Sequence, residues 1–348
     1  MRGRTLITGG AGFIGTNMAD RLLRAGHEVV VFDDLSRPGV GRNVAWLEAT
    51  HDDRLEVVVG DVRDRAALRR ALAGVDQVFH LAAQVAVTTS VDEPMGDFLV
   101  NLGGTVNLLE EVRRMDRSPA VLFTSTNKVY GELVSVAVEQ RGERYEPAGR
   151  ACRSHGISEA QPLQFSSPYG CSKGGADQYV LDYAKTYGVR AIVFRMSCIY
   201  GPHQCGNEDQ GWVAHFLMQA MAGEPITLFG DGRQVRDILF VGDLVDAMVL
   251  ALSDSNSLSG SAFNMGGGPA STVSLLELVD MIADLEGRRP KVSFGPWRIG
   301  DQRWYVSDTK RFADATGWKP QVSPAVGVGR LHRWLRRDRA DLSVAEAS

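Results

Sequence analysis

The chain is poor in cysteine, and it lacks both a long apolar run and a basic stripe. Its 348 residues include four cysteines, Cys152, Cys171, Cys198 and Cys205, and none of their spacings is C-x-x-C or that of another metal site. Reduced thiols in a cytosolic protein are therefore expected, and no metal ligand set is predicted. No apolar run approaches the roughly 18 residues that span a bilayer, so no membrane partner is expected.

The charge balance is mildly acidic. Lysine and arginine number 38 against 42 aspartates and glutamates, which makes the formal net charge -4. Proteins that hold nucleic acid by phosphate contacts carry a basic patch, so a nucleic-acid partner is not predicted. Met1 is followed almost at once by an apolar strand pattern. The sequence therefore favours a cytoplasmic protein without a signal peptide.

Short apolar runs alternate with amphipathic stretches over the first two-thirds of the chain. The runs predicted as strands are Thr5–Thr8, Glu28–Phe32, Leu55–Val59, Gln77–Leu81, Ala120–Thr124 and Ala191–Phe194. The stretches predicted as helices are Phe13–Ala25, Arg65–Ala73, Val100–Met115 and Tyr169–Tyr187. This alternation predicts an α/β fold whose parallel sheet is doubly wound and covered by helices on both faces.

Two changes of pattern suggest how the chain is organised. After Cys198, Gly/Pro-rich segments and isolated strands replace the regular alternation. We expect residues 1–195 to form a dinucleotide-binding domain and 196–348 mainly a smaller substrate-binding lobe, with segments around 236–265 returning to the first domain. The polar stretch 131–166 has no clear period. A structureless insertion of that length is a lid, a binding loop or a disordered segment, and the sequence leaves these alternatives open.

Three glycines follow the first predicted strand. Gly9, Gly12 and Gly15 have the spacing G-x-x-G-x-x-G between a strand that ends at Thr8 and a helix that begins near Phe13. In that position glycines allow a tight turn, let the backbone approach a pyrophosphate and let the helix pack closely on the sheet. The loop therefore predicts a dinucleotide site of the Rossmann type.

Carboxylates end the next two strands. Asp33 ends the second strand, where it can accept hydrogen bonds from the adenosine ribose and repel the extra phosphate of NADP. Arg37 and Arg42 could offset that preference, but NAD is the predicted cofactor. Asp61 ends the third strand, again at the carboxyl edge of the sheet where ligands bind. The small residues of Leu81-Ala82-Ala83 end the fourth strand and suit a backbone that lies flat against a cofactor.

Tyr169 and Lys173 are four residues apart in a predicted helix, so their side chains are neighbours on one face. A cation close to a phenol lowers the pKa of the phenol towards the range of a general base. Together with the glycine loop, this pair predicts an enzyme that removes a hydroxyl proton while a nicotinamide takes the hydride.

In this order the motifs resemble the extended short-chain dehydrogenase/reductase family, whose members act on nucleotide sugars. The resemblance covers essentially the whole chain and adds Asn101, Thr124-Ser125-Thr126 and the run from Gly230 to Asp237 to the motifs above. It implies that Tyr169 is the acid/base, that Lys173 also holds the nicotinamide ribose and that Thr126 binds the reacting oxygen. The cofactor-binding residues that it implies are Gly9, Gly12, Phe13, Ile14, Gly15, Asp33, Asp34, Asp61, Val62, Leu81, Ala82, Ala83, Asn101, Tyr169 and Lys173.

Asn127 and Lys128 indicate a branch of this family. The 4,6-dehydratases carry an Asp-Glu pair here, which removes a C5 proton and protonates the departing hydroxyl; an amide and an ammonium cannot do so. Local strings resemble most closely the branch that epimerises CDP-deoxyhexoses at C2 through a transient keto sugar. The strings are Val87–Asp92, Asp97-Phe98, Gly103–Thr105, Ser125–Gly131, Ser167–Lys173, Asp209–Val213 and Asp301–Arg303. A UDP-sugar 4-epimerase and a non-catalytic NAD-sensing protein remain as alternatives.

The expected ligand is a nucleotide-diphosphate sugar, with CDP favoured and UDP as the alternative. A diphosphate needs cations, and the planar fork of arginine suits phosphate oxygens. The substrate-binding residues implied by the resemblance are Thr88, Thr126, Asn127, Gln210, Trp212, Arg236, Arg298 and Arg303. The resemblance also implies a homodimer or higher homo-oligomer, paired through the helices around Val100–Met115 and Tyr169–Tyr187.

Overall fold

The computed structural model describes residues 3–51, 53–207, 209–298 and 300–347. The strands are β1 (Arg4–Thr8), β2 (Glu28–Asp33), β3 (Leu55–Val59), β4 (Gln77–His80), β5 (Ala120–Thr126), β6 (Val138–Arg141), β7 (Arg144–Pro147), β8 (Ala191–Met196), β9 (Cys198–Tyr200), β10 (Ile226–Phe229), β11 (Val235–Phe240), β12 (Ser261–Met265), β13 (Thr272–Ser274), β14 (Val292–Gly295) and β15 (Trp304–Tyr305).

The α-helices are α1 (Phe13–Arg24), α2 (Val40–Thr50), α3 (Arg65–Ala71), α4 (Val87–Asp92), α5 (Pro94–Phe98), α6 (Gly104–Val112), α7 (Arg150–His155), α8 (Ser167–Tyr187), α9 (Trp212–Ala222), α10 (Val241–Ser253), α11 (Ser255–Leu258), α12 (Leu275–Glu286), α13 (Lys310–Thr316) and α14 (Pro324–Ala347). A π-helical turn covers Leu99–Gly103, and 3-10 turns cover Asn127–Tyr130 and Pro269–Ser271.

Seven parallel strands form the main sheet, in the order β12-β8-β5-β4-β1-β2-β3. The predicted doubly wound α/β fold is therefore confirmed. All six strands predicted from the sequence lie in this sheet, and their observed ends differ from the predicted ones by at most two residues. The strands were predictable because both of their faces are apolar.

The two faces of the sheet form separate cores, since successive side chains of a strand point to opposite sides. One face packs against α1 and α10 through Ile7, Val31, Phe79, Leu122 and Phe194. The other packs against α3, α6 and α8 through Leu6, Val30, Val78, Val121 and Val193. Every one of these side chains is almost fully buried. Helices on both faces leave the carboxyl ends of the strands as the open edge of the sheet.

The strand order reverses beside β1. The chain runs from β1 outward to β2 and β3, and then crosses back to β4 on the other side of β1. In doubly wound sheets the crevice at the carboxyl ends of such strands is the usual ligand site. Here it lies between the loop after Thr8 and the chain after His80.

The remaining strands form smaller sheets. β11 pairs with β13 in the antiparallel direction and with β15 and β9 in the parallel direction, and β10 pairs with β14. With α9, α12 and the first turns of α14 these strands enclose a third apolar core. β12 instead pairs with β8 at the edge of the main sheet. Within the described ranges, no helix is long and apolar enough to cross a membrane.

The stretch 131–166 carries structure of its own, so the expectation of a segment without secondary structure is wrong. It contains the hairpin β6–β7 and helix α7. The Tyr145 N–H donates to the Arg233 carbonyl at 2.9 Å, and the Ile157 N–H donates to Val306 at 2.7 Å. The hairpin was hidden in the sequence because its strands are short and mostly polar, and because partners far along the chain hold it in place.

A buried ion pair joins α8 to β8. Arg195 donates to the two carboxylate oxygens of Asp177 at 2.8 and 2.9 Å and to the Tyr130 hydroxyl at 3.2 Å. The Asp177 side chain is fully buried. Loss of one partner would leave a buried charge uncompensated.

We therefore expect Arg195→Met to lower the free energy of unfolding by about 3–5 kcal/mol. Urea unfolding measures this. The matched control is Lys310→Met, which removes the exposed pair with Asp314 and should cost less than about 1 kcal/mol. Equal losses for the two variants would contradict the assignment.

Candidate active site

A cavity of 1230 Å³ opens at the carboxyl edge of the main sheet, and its lining also includes residues of the lobe that is predicted to bind substrate, among them Trp212 and Arg236. It contains nearly all of the residues predicted to act in the site. The predicted residues that line it are Gly9, Gly12, Phe13, Ile14, Gly15, Asp33, Asp34, Asp61, Val62, Leu81, Ala82, Ala83, Thr88, Thr126, Asn127, Tyr169, Lys173, Gln210, Trp212, Arg236 and Arg298.

The glycine loop fits the pyrophosphate of a dinucleotide. Gly9 has φ of +68°, and a Cβ there would lie 2.7 Å from the Ala82 nitrogen. A Cβ on Gly15 would lie 2.6 Å from the Gly10 Cα. Gly12 precedes α1, whose first turn has no side-chain cap and no acidic residue. The N–H groups of that turn are therefore free to bind an anion at the positive end of the helix.

Asp33 ties the glycine loop to the end of β2. Its carboxylate accepts hydrogen bonds from the Ala11 N–H at 3.1 Å and the Leu35 N–H at 2.9 Å. Burial raises its pKa, and these two hydrogen bonds oppose the rise. Arg37 lines the same part of the cavity but donates to Gln210 Oε1 at 2.6 Å. This arrangement leaves the Asp33 carboxylate, rather than a cation, beside the predicted ribose position.

The predicted catalytic residues come from two adjacent elements. Thr126 is the last residue of β5, and Tyr169 and Lys173 lie in the first two turns of α8. The Thr126 side chain lies close enough to the Tyr169 hydroxyl to act on its pKa. The Lys173 ammonium lies 4.2 Å from the centre of the Phe123 ring, over its face. The structure thus brings all three side chains to one wall of the cavity.

Burial dominates the proton affinities of this pair. It raises the pKa of Tyr169 to about 12, against the effect of the nearby Thr126 side chain. It lowers the pKa of Lys173 to about 7, against the fields of Asp177 and Asp97. The expectation that Lys173 lowers the pKa of Tyr169 is therefore not met by these residues alone, because desolvation disfavours both charged forms. A phenolate base here needs further positive charge, which oxidised NAD carries on its ring.

His80 is buried close to the same wall but cannot act as an acid or base near neutral pH. Its ring nitrogens contact the Thr8 hydroxyl at 2.6 Å and the Thr105 hydroxyl at 3.0 Å. Burial, followed by the Lys173 charge, lowers its pKa to about 3. It is a neutral strand-end histidine that packs beneath the cofactor wall.

Polar side chains cluster at the substrate end of the cavity. Asn127 donates to Gln302 Oε1 at 3.2 Å, and Arg236 donates to Asp301 Oδ1 at 2.6 Å. Lys128 donates to the Gly300 carbonyl at 3.0 Å and also lines the cavity. Lys128 was not predicted as a cavity residue from the sequence, where it served only to disfavour dehydration. Its position directly after Asn127 at a strand end was the available signal.

Two predicted site residues lie outside the cavity lining. Arg303 is exposed, and its guanidinium contacts the rings of Tyr145 and Trp297. Asn101 is buried and is hydrogen-bonded to the backbone of Gln84 at 2.9 and 3.0 Å. It supports the chain after β4 from behind. The motifs do not predict that Arg303 and Asn101 lie outside the cavity lining, because their locations depend on contacts with other elements of the fold.

The last predicted contacts come from the substrate lobe. Trp212 begins α9, and its indole N–H points to the Cys198 sulfur at 3.4 Å. The Arg298 guanidinium lies 3.8 Å from the centre of the Phe229 ring and pairs with Asp209 at 3.3 Å. Across the residues that the structure describes, no group of three or more His, Cys, Asp or Glu side chains could hold a metal ion.

Comparison with known proteins identifies the family. The sequence model of the NAD dependent epimerase/dehydratase family matches residues 5–266. The chain belongs to this family, as its resemblance to extended short-chain dehydrogenases/reductases predicted, and its cofactor is NAD.

Individual relatives align over nearly their full length. CDP-paratose 2-epimerase of Salmonella typhi is 41% identical, over 95% of this chain and 98% of the relative. UDP-glucose 4-epimerase of Mycolicibacterium smegmatis is 36% identical, over 96% and 98%. The crystal structure of the UDP-glucose 4-epimerase of Thermus thermophilus in complex with NAD is similar, with a TM-score of 0.79, 32% identity and coverage of 96% of this chain and 99% of that one.

Gly15→Ala tests the fit of the loop. We expect loss of NAD binding, because the new methyl group would collide with the backbone of Gly10. Calorimetric titration of NAD into cofactor-stripped protein measures it. The control is Gly41→Ala in α2, where a Cβ has open space around it. Unchanged NAD affinity in Gly15→Ala would show that the loop does not hold the pyrophosphate.

Proposed function

We propose that this chain is an NAD-dependent epimerase of nucleotide sugars that inverts C2 of a CDP-deoxyhexose of the CDP-paratose type. The observation that carries the proposal is the 41% identity to CDP-paratose 2-epimerase over 95% of the chain. It is supported by the placement of Thr126, Tyr169 and Lys173 on the cavity wall that faces the glycine loop. The reaction is oxidation of the C2 hydroxyl followed by reduction of the 2-keto sugar from its other face.

The side chains divide the proton chemistry between them. Tyr169 accepts the proton of the C2 hydroxyl, while Thr126, which lies close to the Tyr169 hydroxyl, orients the reacting oxygen. NAD, held by the glycine loop and Lys173, would supply the hydride acceptor for the oxidation and the hydride donor for the reduction. During the return step Tyr169 donates the same proton back to the oxygen at C2. Lys173, one turn further along α8, keeps a positive charge near the phenol and holds the nicotinamide ribose.

Epimerisation requires the keto sugar to turn over between the two hydride steps. The cavity volume of 1230 Å³ exceeds the roughly 300–1,000 Å³ of an ordinary ligand pocket. The cavity therefore has room for two ligands, the cofactor and the nucleotide sugar. Arg236 and Arg298 line the cavity, and in this proposal they bind the diphosphate of the nucleotide while the sugar rotates about its bonds to it. No residue needs to release the nucleotide for the sugar to change face.

The residues beside Thr126 disfavour dehydration. Asn127 donates to Gln302, and Lys128 donates to Gly300. An amide and an ammonium at these positions cannot remove a C5 proton as a carboxylate does. The keto sugar therefore has hydride return as its available route.

A UDP-sugar 4-epimerase is the second candidate. It is favoured by the 36% identity to the Mycolicibacterium UDP-glucose 4-epimerase over 96% of the chain. The same three side chains would then serve the hydroxyl at C4. A non-catalytic NAD sensor is the weaker interpretation, since such a protein has no need of Thr126 and Tyr169 in one cavity lining with a buried Lys173.

The proposal includes a cytoplasmic homodimer. Apolar side chains are exposed on α5, the π-helical turn and α8, namely Met95, Phe98, Leu99, Tyr179 and Tyr187. Pairing these surfaces between two copies would bury them. Light scattering tests this: a dimer is expected, and a monomer would refute it.

Tyr169→Phe should lower turnover by at least about 1,000-fold, since it removes the group that moves the proton. Copurified NAD should remain bound, because the loop and the wall are unchanged. Turnover and NAD content are both measured on the purified variant. Tyr179→Phe is the control: it removes a hydroxyl from the same helix and keeps the ring that the proposed dimer interface would bury. Retained turnover in Tyr169→Phe would exclude Tyr169 as the acid/base.

The substrate is tested by incubating the holoenzyme with CDP-paratose and, separately, with UDP-glucose. NMR of the product identifies the inverted carbon. Inversion at C2 of the CDP sugar is expected. Inversion at C4 of the UDP sugar would favour the second candidate. Failure of both sugars to reduce the bound NAD transiently would favour the sensor.

A further inference from the structure

A buried carboxylate that the mechanism above does not use lies behind the catalytic helix. Asp97, near the end of α5, has only 1% of its surface exposed. It accepts hydrogen bonds from Asn101 Nδ2 at 2.9 Å and from the Ser172 hydroxyl. Buried carboxylates are costly unless they are paired. Its partners, however, are neutral groups, so the hydrogen bonds alone do not balance its charge.

The partners of Asp97 connect the catalytic helix to the cofactor wall. Ser172 immediately precedes Lys173 and lies 3.2 Å from the Tyr169 carbonyl through its hydroxyl oxygen. Asn101 donates to Ser172 at 3.1 Å and also holds the backbone of Gln84. Gln84 follows directly after the Leu81-Ala82-Ala83 wall. The Asp97 cluster therefore determines where α8 sits relative to the wall against which the nicotinamide is expected to lie.

The charges around Lys173 differ in how well they are compensated. Asp177, one turn along α8, is bound at both oxygens by Arg195 from β8. His80 from β4 is neutral, because its pKa is about 3. Burial raises the pKa of Asp97 from α5, against the hydrogen bond from Ser172 and the field of Lys173. Asp177 and then Asp97 raise the pKa of Lys173. Because Arg195 already binds Asp177, Asp97 is the one of these two carboxylates whose hydrogen-bond partners carry no charge.

We propose that Asp97 is a positioning residue for the reaction: its carboxylate holds Lys173 in the ammonium form and, through Ser172 and Asn101, seats the Tyr169–Lys173 face of α8 against the cofactor wall. The inference rests on the proposed function for its kinetic part only. The effect of Asp97 on the titration of Lys173 is a property of the protein itself and can be measured without a substrate.

The direction of the pH effect follows from the sign of the charge. Asp97 raises the pKa of Lys173, which burial lowers to about 7, and it also raises the pKa of Tyr169. In Asp97→Asn both groups should lose their protons at lower pH. Activity needs a deprotonated Tyr169 and a protonated Lys173. The rise and the fall of turnover with pH should therefore both move to lower pH.

The experiment compares the pH profile of kcat in Asp97→Asn and in Ser172→Ala, each as the NAD-bound enzyme. In Asp97→Asn we expect the rising limb and the falling limb of the pH profile to move to lower pH by about one unit, because one nearby negative charge is lost. Ser172→Ala removes a hydrogen bond of the same cluster but no charge, so it should lower kcat without moving the limbs. A uniform fall of kcat in Asp97→Asn with an unmoved profile would overturn the proposal.

A second measurement separates this inference from the proposed function. The lysine side-chain nitrogen signals are followed by NMR against pH, with Lys173 assigned by its loss in Lys173→Met. Lys173 should titrate at lower pH in Asp97→Asn than in the wild type, even if no sugar is turned over. An unchanged titration would overturn the proposal.

If Asp97→Asn does not fold, the wild-type titration still decides. Coupled groups each report the titration of the other. The Lys173 signal should then show a second, smaller inflection at acid pH as Asp97 gains its proton. A single inflection would overturn the proposal.

Discussion

The backbone of the glycine loop lies directly against the chain that leaves β4. A side chain at Gly9 would come within 2.7 Å of the Ala82 nitrogen, so only glycine allows this contact. The contact exists because β4 pairs with β1 in parallel, which brings their carboxyl ends to the same place. The start of α1, the Asp33 carboxylate and the small residues after β4 all face one crevice as a result. The dinucleotide site is a consequence of strand order combined with a missing Cβ.

Tyr169 and Lys173, the proposed catalytic pair, lie in that crevice at a cost. Desolvation lowers the pKa of Lys173 to about 7 and raises that of Tyr169 to about 12, so each group is pushed towards its neutral form. Two carboxylates behind the helix, Asp97 and Asp177, oppose this for Lys173. Charge on the cofactor can oppose it for Tyr169. The phenolate form of Tyr169 and the ammonium form of Lys173 are therefore favoured only when the two carboxylates and the cofactor are all in place.

Features that depend on neighbouring residues were predictable from the sequence, and features that depend on distant residues were not. The six strands were predictable because each is apolar on both faces, and the glycine and Tyr-Lys motifs were predictable because their spacing is local. The β6–β7 hairpin was not predictable, since Tyr145 depends on Arg233 for its backbone partner. Arg303 matched a motif but stacks on Tyr145 outside the cavity. The pKa values of Tyr169 and Lys173 were not predictable from their spacing, because the surrounding elements bury both side chains.

The sequence by itself determined the order of the elements, the glycine turn and the side-by-side placement of Tyr169 and Lys173, because each depends on residues only a few positions apart. Only the tertiary structure decided which distant side chains share the cavity. Arg37 meets Gln210 across 173 positions, and Ser172 meets Asp97 across 75. Such contacts arise when parallel strands and their crossover helices bring separate segments together. The periodicity of the sequence does not predict these long-range contacts.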